Sequence, residues 1–200
     1  MAITAELVKQ LRDKTGAGMM DCKAALTESG GDLEKAVEIL RKKGMATAAK
    51  RAGRATRDGM IGHYIHMGGK VGVLVEVNCE TDFVARTDDF QALVKEIAMH
   101  VAAADPRFVS RDQVPASELD KEKEIYRAQF AGSGKPAQVI DKIVEGKLGS
   151  FYAQICLLEQ PSVRDPNVTI EQMLQAATAK TGENITISRF VRFKLGEHAE

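Results

Sequence analysis

Apolar residues near the start of the chain recur every three to four positions, and the breaks between them carry capping and glycine residues. Leu7, Val8 and Leu11 share one helical face behind Thr4, and Gly16-Ala17-Gly18 ends that segment. The spacing predicts a short helix from about Met19 to Glu28, stopped at Gly30-Gly31, and a third helix behind Asp32. Leu33, Ala36, Val37 and Leu40 form the face of that third helix, and Gly44 is expected to close it. Three short helices make a very small core, so this module needs tight packing or a partner surface to be stable.

Residues 41–57 change character. Arg41, Lys42, Lys43, Lys50, Arg51, Arg54 and Arg57 are interleaved with alanines and no acidic residue, which reads as a partly helical linker with a weak point at Gly53. After Asp58-Gly59 the period becomes two: Met60, Ile61, Tyr64 and Ile65, then Val71, Val73, Leu74, Val75 and Val77. The intervening His66-Met67-Gly68-Gly69-Lys70 supplies the positive dihedrals of a hairpin turn. From Thr87 or Asp88 a long helix is predicted, its stripe of Phe90, Leu93, Val94, Ile97, Ala98 and Val101 set to pack across the hairpin and to end before Asp105-Pro106.

Ser117-Glu118-Leu119-Asp120 resembles a capping box and opens a helix to about Phe130, broken by Gly132-Ser133-Gly134. Pro136 begins another, whose stripe (Val139, Ile140, Ile143, Val144, Leu148, Phe151, Ile155, Leu158) runs toward Pro161, with Gly146 and Gly149 allowing a bend. Thr169 starts a further helix that stops at Gly182. Ile185, Ile187, Val191, Phe193 and Leu195 then alternate on a closing strand, interrupted at Arg189, that joins the hairpin as a third antiparallel strand. The fold class is therefore α+β: an N-terminal helical module with its basic linker over residues 1–53, and a core over residues 54–200 containing a small antiparallel sheet.

Composition narrows the chemistry. Among 200 residues, 28 basic and 28 acidic side chains cancel, so the whole molecule has no electrostatic pull toward nucleic acid or an anionic membrane. No apolar run reaches the length of a membrane span and the first residues lack the pattern of a signal peptide, which predicts a cytoplasmic protein. Cys22, Cys79 and Cys156 stand far apart and the four histidines show no HExxH spacing, so neither a disulfide framework nor a metal site is expected. No GxxxxGK[ST] run is present to wrap a phosphate, so the chain is not expected to hold a nucleotide or any cofactor itself. A thiol enzyme built on Cys79 would need a base that the sequence does not name.

Residues 78–86 join the second strand to the long helix and are expected to form a surface loop. Within them Phe83 stands among polar neighbours. Its ring either projects as an anchor for another protein or folds back to staple the start of the helix; local spacing favours the second slightly. Met19 and Met20 read either as core fillers or as a contact surface, with one facing in and the other out.

Thr15-Gly16-Ala17-Gly18-Met19-Met20-Asp21-Cys22-Lys23-Ala24-Ala25-Leu26 and Glu76-Val77-Asn78-Cys79-Glu80-Thr81-Asp82-Phe83-Val84-Ala85, with Leu157-Leu158-Glu159-Gln160-Pro161 and Phe190-Val191-Arg192-Phe193 later, resemble the bacterial elongation factor Ts family. The resemblance runs from end to end of the chain. It implies a guanine nucleotide exchange factor for elongation factor Tu, not an enzyme of bond chemistry, with a UBA-like three-helix module at its N-terminus. It further implies that Thr81, Asp82, Phe83 and Val84 disturb the partner's Mg²⁺ and phosphate site. Met19, Met20 and Asp21 would contact the GTP-binding domain, and the core would reach a second domain. The chain has no room for the extra core subdomain and coiled-coil insertion of longer members, which leads us to expect a homodimer through the core sheet. The competing reading is an RNA- or ribosome-associated protein binding through residues 41–57, although that stretch lacks aromatic residues for stacking.

Overall fold

The computed structural model describes residues 3–130 and 132–197. Helices α1 (Ala5–Thr15), α2 (Met19–Glu28) and α3 (Leu33–Arg51) come first, followed by strands β1 (Asp58–Ile65) and β2 (Val71–Cys79). The one-turn helix α4 (Asp82–Ala85), the long α5 (Asp88–Ala104), α6 (Ala116–Ala128), α7 (Ala137–Ile155), α8 (Ile170–Thr181) and strand β3 (Thr186–Lys194) complete the order. The strands form an antiparallel sheet in the order β1-β2-β3, with the two hairpin strands and the closing strand as expected. The chain divides into two compact units, one made of residues 1–62, 76–94 and 172–187, the other of 63–75, 95–171 and 188–200.

The first unit holds the helical module. Thr4 Oγ1 accepts from Leu7 N–H at 3.3 Å, and Asp32 Oδ1 accepts from Glu34 and Lys35 N–H at 3.0 and 3.1 Å, so both caps are where their residue types placed them. Val8, Leu11, Cys22, Ala25, Leu26, Ala36 and Leu40 meet in one small core. Gly44 does not close α3. The helix runs on to Arg51 because the residues around Gly44 are good helix formers, against which a single glycine costs only about 1 kcal/mol. A Cβ built on Gly44 would lie 3.6 Å from the Ala179 Cβ, so α3 and α8 approach closely there, and Arg51 Nη1 donates to Thr178 O at 3.1 Å. Gly53 lies in the turn that follows.

Central strand β2 buries Val73, Val75, Val77 and Cys79 in strict alternation. Gly68 and Gly69 take the positive φ values of the hairpin turn, +88° and +67°. At the start of β1, Gly59 has φ +143°, and a Cβ there would stand 2.2 Å from Val77 O, so only glycine lets the two strands come together. The predicted stripe of α5 is buried at all six positions. Strand β3 runs as one strand through Arg189, and the apolar alternation changes there: Ile185 and Ile187 before it are buried, whereas Val191 and Phe193 after it are exposed.

In the second unit α6 starts after Pro115 rather than at Ser117. The fixed φ of proline organises the first turn, so Ser117 is inside the helix and caps nothing. Helix α7 ends at Ile155, short of the predicted stripe, because Arg107 and Phe108 N–H take the Ile155 carbonyl at 2.9 and 3.0 Å while Leu157 N–H donates to Phe108 O at 2.9 Å. Val144, Leu148, Phe151 and Ile155 pack there with Val114 and Cys156. His100 is fully buried: its Nδ1 accepts from Val163 N–H at 3.3 Å, which leaves Nε2 as the donor to Gln160 Oε1 at 2.9 Å. Arg192 donates from Nε to Ala102 O at 3.3 Å and pairs with Asp105 at 3.3 Å, tying β3 to the last turn of α5.

Candidate functional site

Residues 78–86 are not the plain loop expected from sequence. Thr81 is an N-cap residue with φ −135° and ψ 154°, and its hydroxyl accepts weakly from Val84 N–H at 3.4 Å, which winds Asp82–Ala85 into one helical turn. Val84 and Ala85 are buried and anchor the turn from below. Thr87 Oγ1 then donates to Val84 O at 2.8 Å and accepts from Phe90 N–H at 3.3 Å, passing the chain directly into α5. With the inner face of the turn taken by Val84 and Ala85, the Phe83 ring points outward and is 78% exposed. Of the two orientations the sequence allowed, the ring takes the projecting one. Asp82 pairs with Arg86 one turn on, at 2.7 Å, with both groups largely in water.

The approach to this turn is held by residues that sequence reasoning missed. Glu183 Oε2 accepts from the backbone N–H of Glu80 and Thr81 at 3.1 and 3.0 Å, and its Oε1 accepts the Thr81 hydroxyl proton at 2.6 Å. In return, Glu80 Oε1 accepts from Asn184 N–H at 2.7 Å and lies 3.5 Å from Arg54. Asn184 is buried, with Nδ2 donating to Arg54 O at 2.9 Å and Ala52 O at 3.5 Å. As part of an Asn-x-Thr triplet it reads from sequence as a turn residue, but it is a polar fastener. The available signal was a Glu-Asn pair between a helix stop and a strand start, and nothing local names its partners.

Cys79 donates from its thiol to Thr81 O at 3.1 Å and is fully buried. Burial first, and then the negative charge of Glu183, push this thiol up to about 11, so it stays protonated and unreactive at neutral pH. Cys156 is likewise pushed up to about 11, by burial and then by Glu159. All three cysteines are free and buried.

Met19 and Met20 begin α2 behind Gly18, and both face outward, 61% and 75% exposed. The expected division, one in and one out, does not hold. Cys22, Ala25 and Leu26 occupy the buried face of α2 and leave none of it for either methionine. Asp21 is held by Lys43 of α3, Nζ to Oδ1 at 2.6 Å. Thr81, Asp82, Phe83 and Val84 thus form one feature and Met19, Met20 and Asp21 another, on different elements of the same compact unit. In the basic stretch, Lys43, Arg51 and Arg54 are engaged with Asp21, Thr178 O and Glu80, which draws three of its seven cations into the protein's own structure. Among the described residues, no group of three or more His, Cys, Asp or Glu could hold a metal ion, and no helix is long and apolar enough to cross a membrane.

A family model described as Elongation factor TS matches residues 1–197. Among curated relatives, the chain is 64% identical over 197 residues to Elongation factor Ts of Fervidobacterium nodosum, covering 98% of this chain and all of the relative. It is 60% identical over 200 residues to Elongation factor Ts of Geobacter sulfurreducens, covering all of this chain and 93% of the relative. A similar protein of the same description from Acetivibrio thermocellus is 57% identical over 195 residues, covering 98% of this chain and 91% of the relative.

Proposed function

Because this chain belongs to the elongation factor Ts family, we propose that it frees GDP from elongation factor Tu by pressing the Thr81-Asp82-Phe83-Val84 turn against the partner's Mg²⁺ and phosphate site. The family's role is nucleotide exchange on elongation factor Tu in translation elongation; the route is our reading. No covalent bond is made or broken in it. The observation that carries it is the Phe83 ring, exposed on a turn whose flanks are both fixed.

Exchange obeys linkage. A protein that weakens nucleotide binding must bind the empty partner more tightly than the loaded one by the same factor. An acceleration of ~10⁴ corresponds to about 5.5 kcal/mol. Burying one phenylalanine supplies only about 1.5 to 3 kcal/mol. A second grip is needed, and the exposed Met19 and Met20 with Asp21 on the helical module of residues 1–53 provide it against the GTP-binding domain. The core of residues 54–200 reaches a second domain of the partner. Asp82 adds a negative charge near the metal shell, and the Asp82–Arg86 pair offers an exchangeable counter-charge.

The chain acts in the cytoplasm without binding a nucleotide of its own. It pairs with a second copy through the sheet, where Ile65, Leu74, Val191 and Phe193 are exposed. A monomer by light scattering at working concentration, with full exchange activity, would remove the dimer from this account.

The metal route is tested by measuring GDP release from elongation factor Tu across Mg²⁺ concentrations. If the turn acts on the metal shell, the fold-acceleration shrinks when Mg²⁺ is chelated, because part of what the turn removes is already gone. An acceleration independent of Mg²⁺ would exclude that route.

A further inference from the structure

We propose that Glu183 is a positioning residue of the exchange turn, acting through the backbone that precedes Phe83. The inference rests on the reading of Phe83 as the intruding group. Three donors converge on the Glu183 carboxylate, two backbone N–H groups and one hydroxyl, at 2.6 to 3.1 Å. Hydrogen bonds to an ionised acceptor are about twice as strong as neutral ones and directional, so they fix the 79–80 and 80–81 peptide units that lead into the turn. The tie is reciprocal, since Glu80 returns the contact through Asn184 N–H at 2.7 Å. It spans 102 residues of sequence between Thr81 and Glu183 and is independent of the buried Val84 and Ala85 that hold the turn from its other side.

A projecting ring with 78% of its surface in solvent has little packing of its own to fix its direction. Pushing it into a partner requires a base that does not yield, and a turn already ordered before contact loses less freedom on binding. Glu183 supplies that base from the segment between α8 and β3. Gly182, with φ +82°, ends α8 and turns the chain so that Glu183 can face the 80–81 peptides.

Glu183→Gln keeps the shape but puts an amide N–H₂ against donors. At saturating exchange factor, its maximal rate of fluorescent GDP release from elongation factor Tu should fall about tenfold, with a half-saturating concentration within about twofold of the parent. Amide hydrogen exchange at Glu80 and Thr81 should quicken while the thermal midpoint stays within a few degrees. A double-mutant cycle with Phe83→Ala separates positioning from general support. If Glu183 acts through Phe83, Glu183→Gln costs less than about twofold in the Phe83→Ala background; fully additive losses overturn the inference. Should Glu183→Gln not fold, Glu183→Asp, which keeps the charge but shortens its reach to the Glu80 and Thr81 N–H groups, enters the same cycle with the same outcomes. A Phe83→Ala protein with full activity would sink the reading of Phe83 and this inference with it. An impaired Phe83→Ala beside an unimpaired Glu183→Gln would sink the inference alone.

Discussion

Phe83→Ala removes the one ring that the turn presents to solvent. With 78% of Phe83 exposed, docking can desolvate about three quarters of the side chain. Full burial of a phenylalanine stabilises by about 1.5 to 3 kcal/mol, so truncation should cost about 1.2 to 2.3 kcal/mol of the state in which GDP leaves. That is roughly an eight- to fiftyfold slower release at saturation. The fold itself should be untouched, because exposed substitutions of this kind shift stability by no more than about 0.5 kcal/mol. The assay is stopped-flow release of a fluorescent GDP from elongation factor Tu over a range of exchange-factor concentrations. A lower plateau with a similar half-saturating concentration would mean that the ring acts as GDP leaves, not in the first encounter. A rate within twofold of the parent, in a protein that melts normally, would show that the exposed ring is not the intruding group.

Met19→Ala combined with Met20→Ala should weaken binding to the nucleotide-free partner by at least about tenfold in calorimetry, since two exposed thioether side chains are lost without disturbing the module core. Gly59→Ala should cost more than about 2 kcal/mol and lower the thermal midpoint by several degrees, because its Cβ would lie 2.2 Å from Val77 O; an unchanged midpoint would mean that β1 is free to shift. Burial lowers the pKa of His100, against the opposing hydrogen bond that the ring donates to Gln160 and the charge of Glu96. The unfolded chain therefore takes up a proton near pH 6.5 that the folded protein refuses. The His100 contribution is fully present above pH 6.5 and is lost as pH falls below it, so urea midpoints should drop between pH 7.5 and 5.5, and His100→Gln should flatten that slope. Arg192→Met should cost about 1 to 2 kcal/mol in urea unfolding by leaving Ala102 O and Asp105 without their guanidinium.

Much of the architecture was legible because its signals are local. Thr4, Asp32 and Gly182 act within one turn of their own position, and Gly68 and Gly69 specify a hairpin without reference to the rest of the chain. Errors arose where a local signal was weak against its surroundings. Gly44 has a glycine's usual cost but stands among helix formers and against α8, so the helix continues. Ser117 has the spacing of a cap, yet Pro115 already set the start. The direction of Phe83 depends on Val84 and Ala85 taking the inner face of a turn that is itself held from Glu183. A tie across 102 residues leaves no trace in any short window. The same holds for Asn184, whose partners at Ala52 and Arg54 lie some 130 residues away.

The most direct measurement is the residence time of a fluorescent GDP on elongation factor Tu, followed with and without this protein at physiological Mg²⁺ and excess unlabelled GDP. The account predicts that the nucleotide leaves orders of magnitude sooner when the protein is present, with neither GDP nor protein chemically altered. An identical residence time in both samples would contradict it.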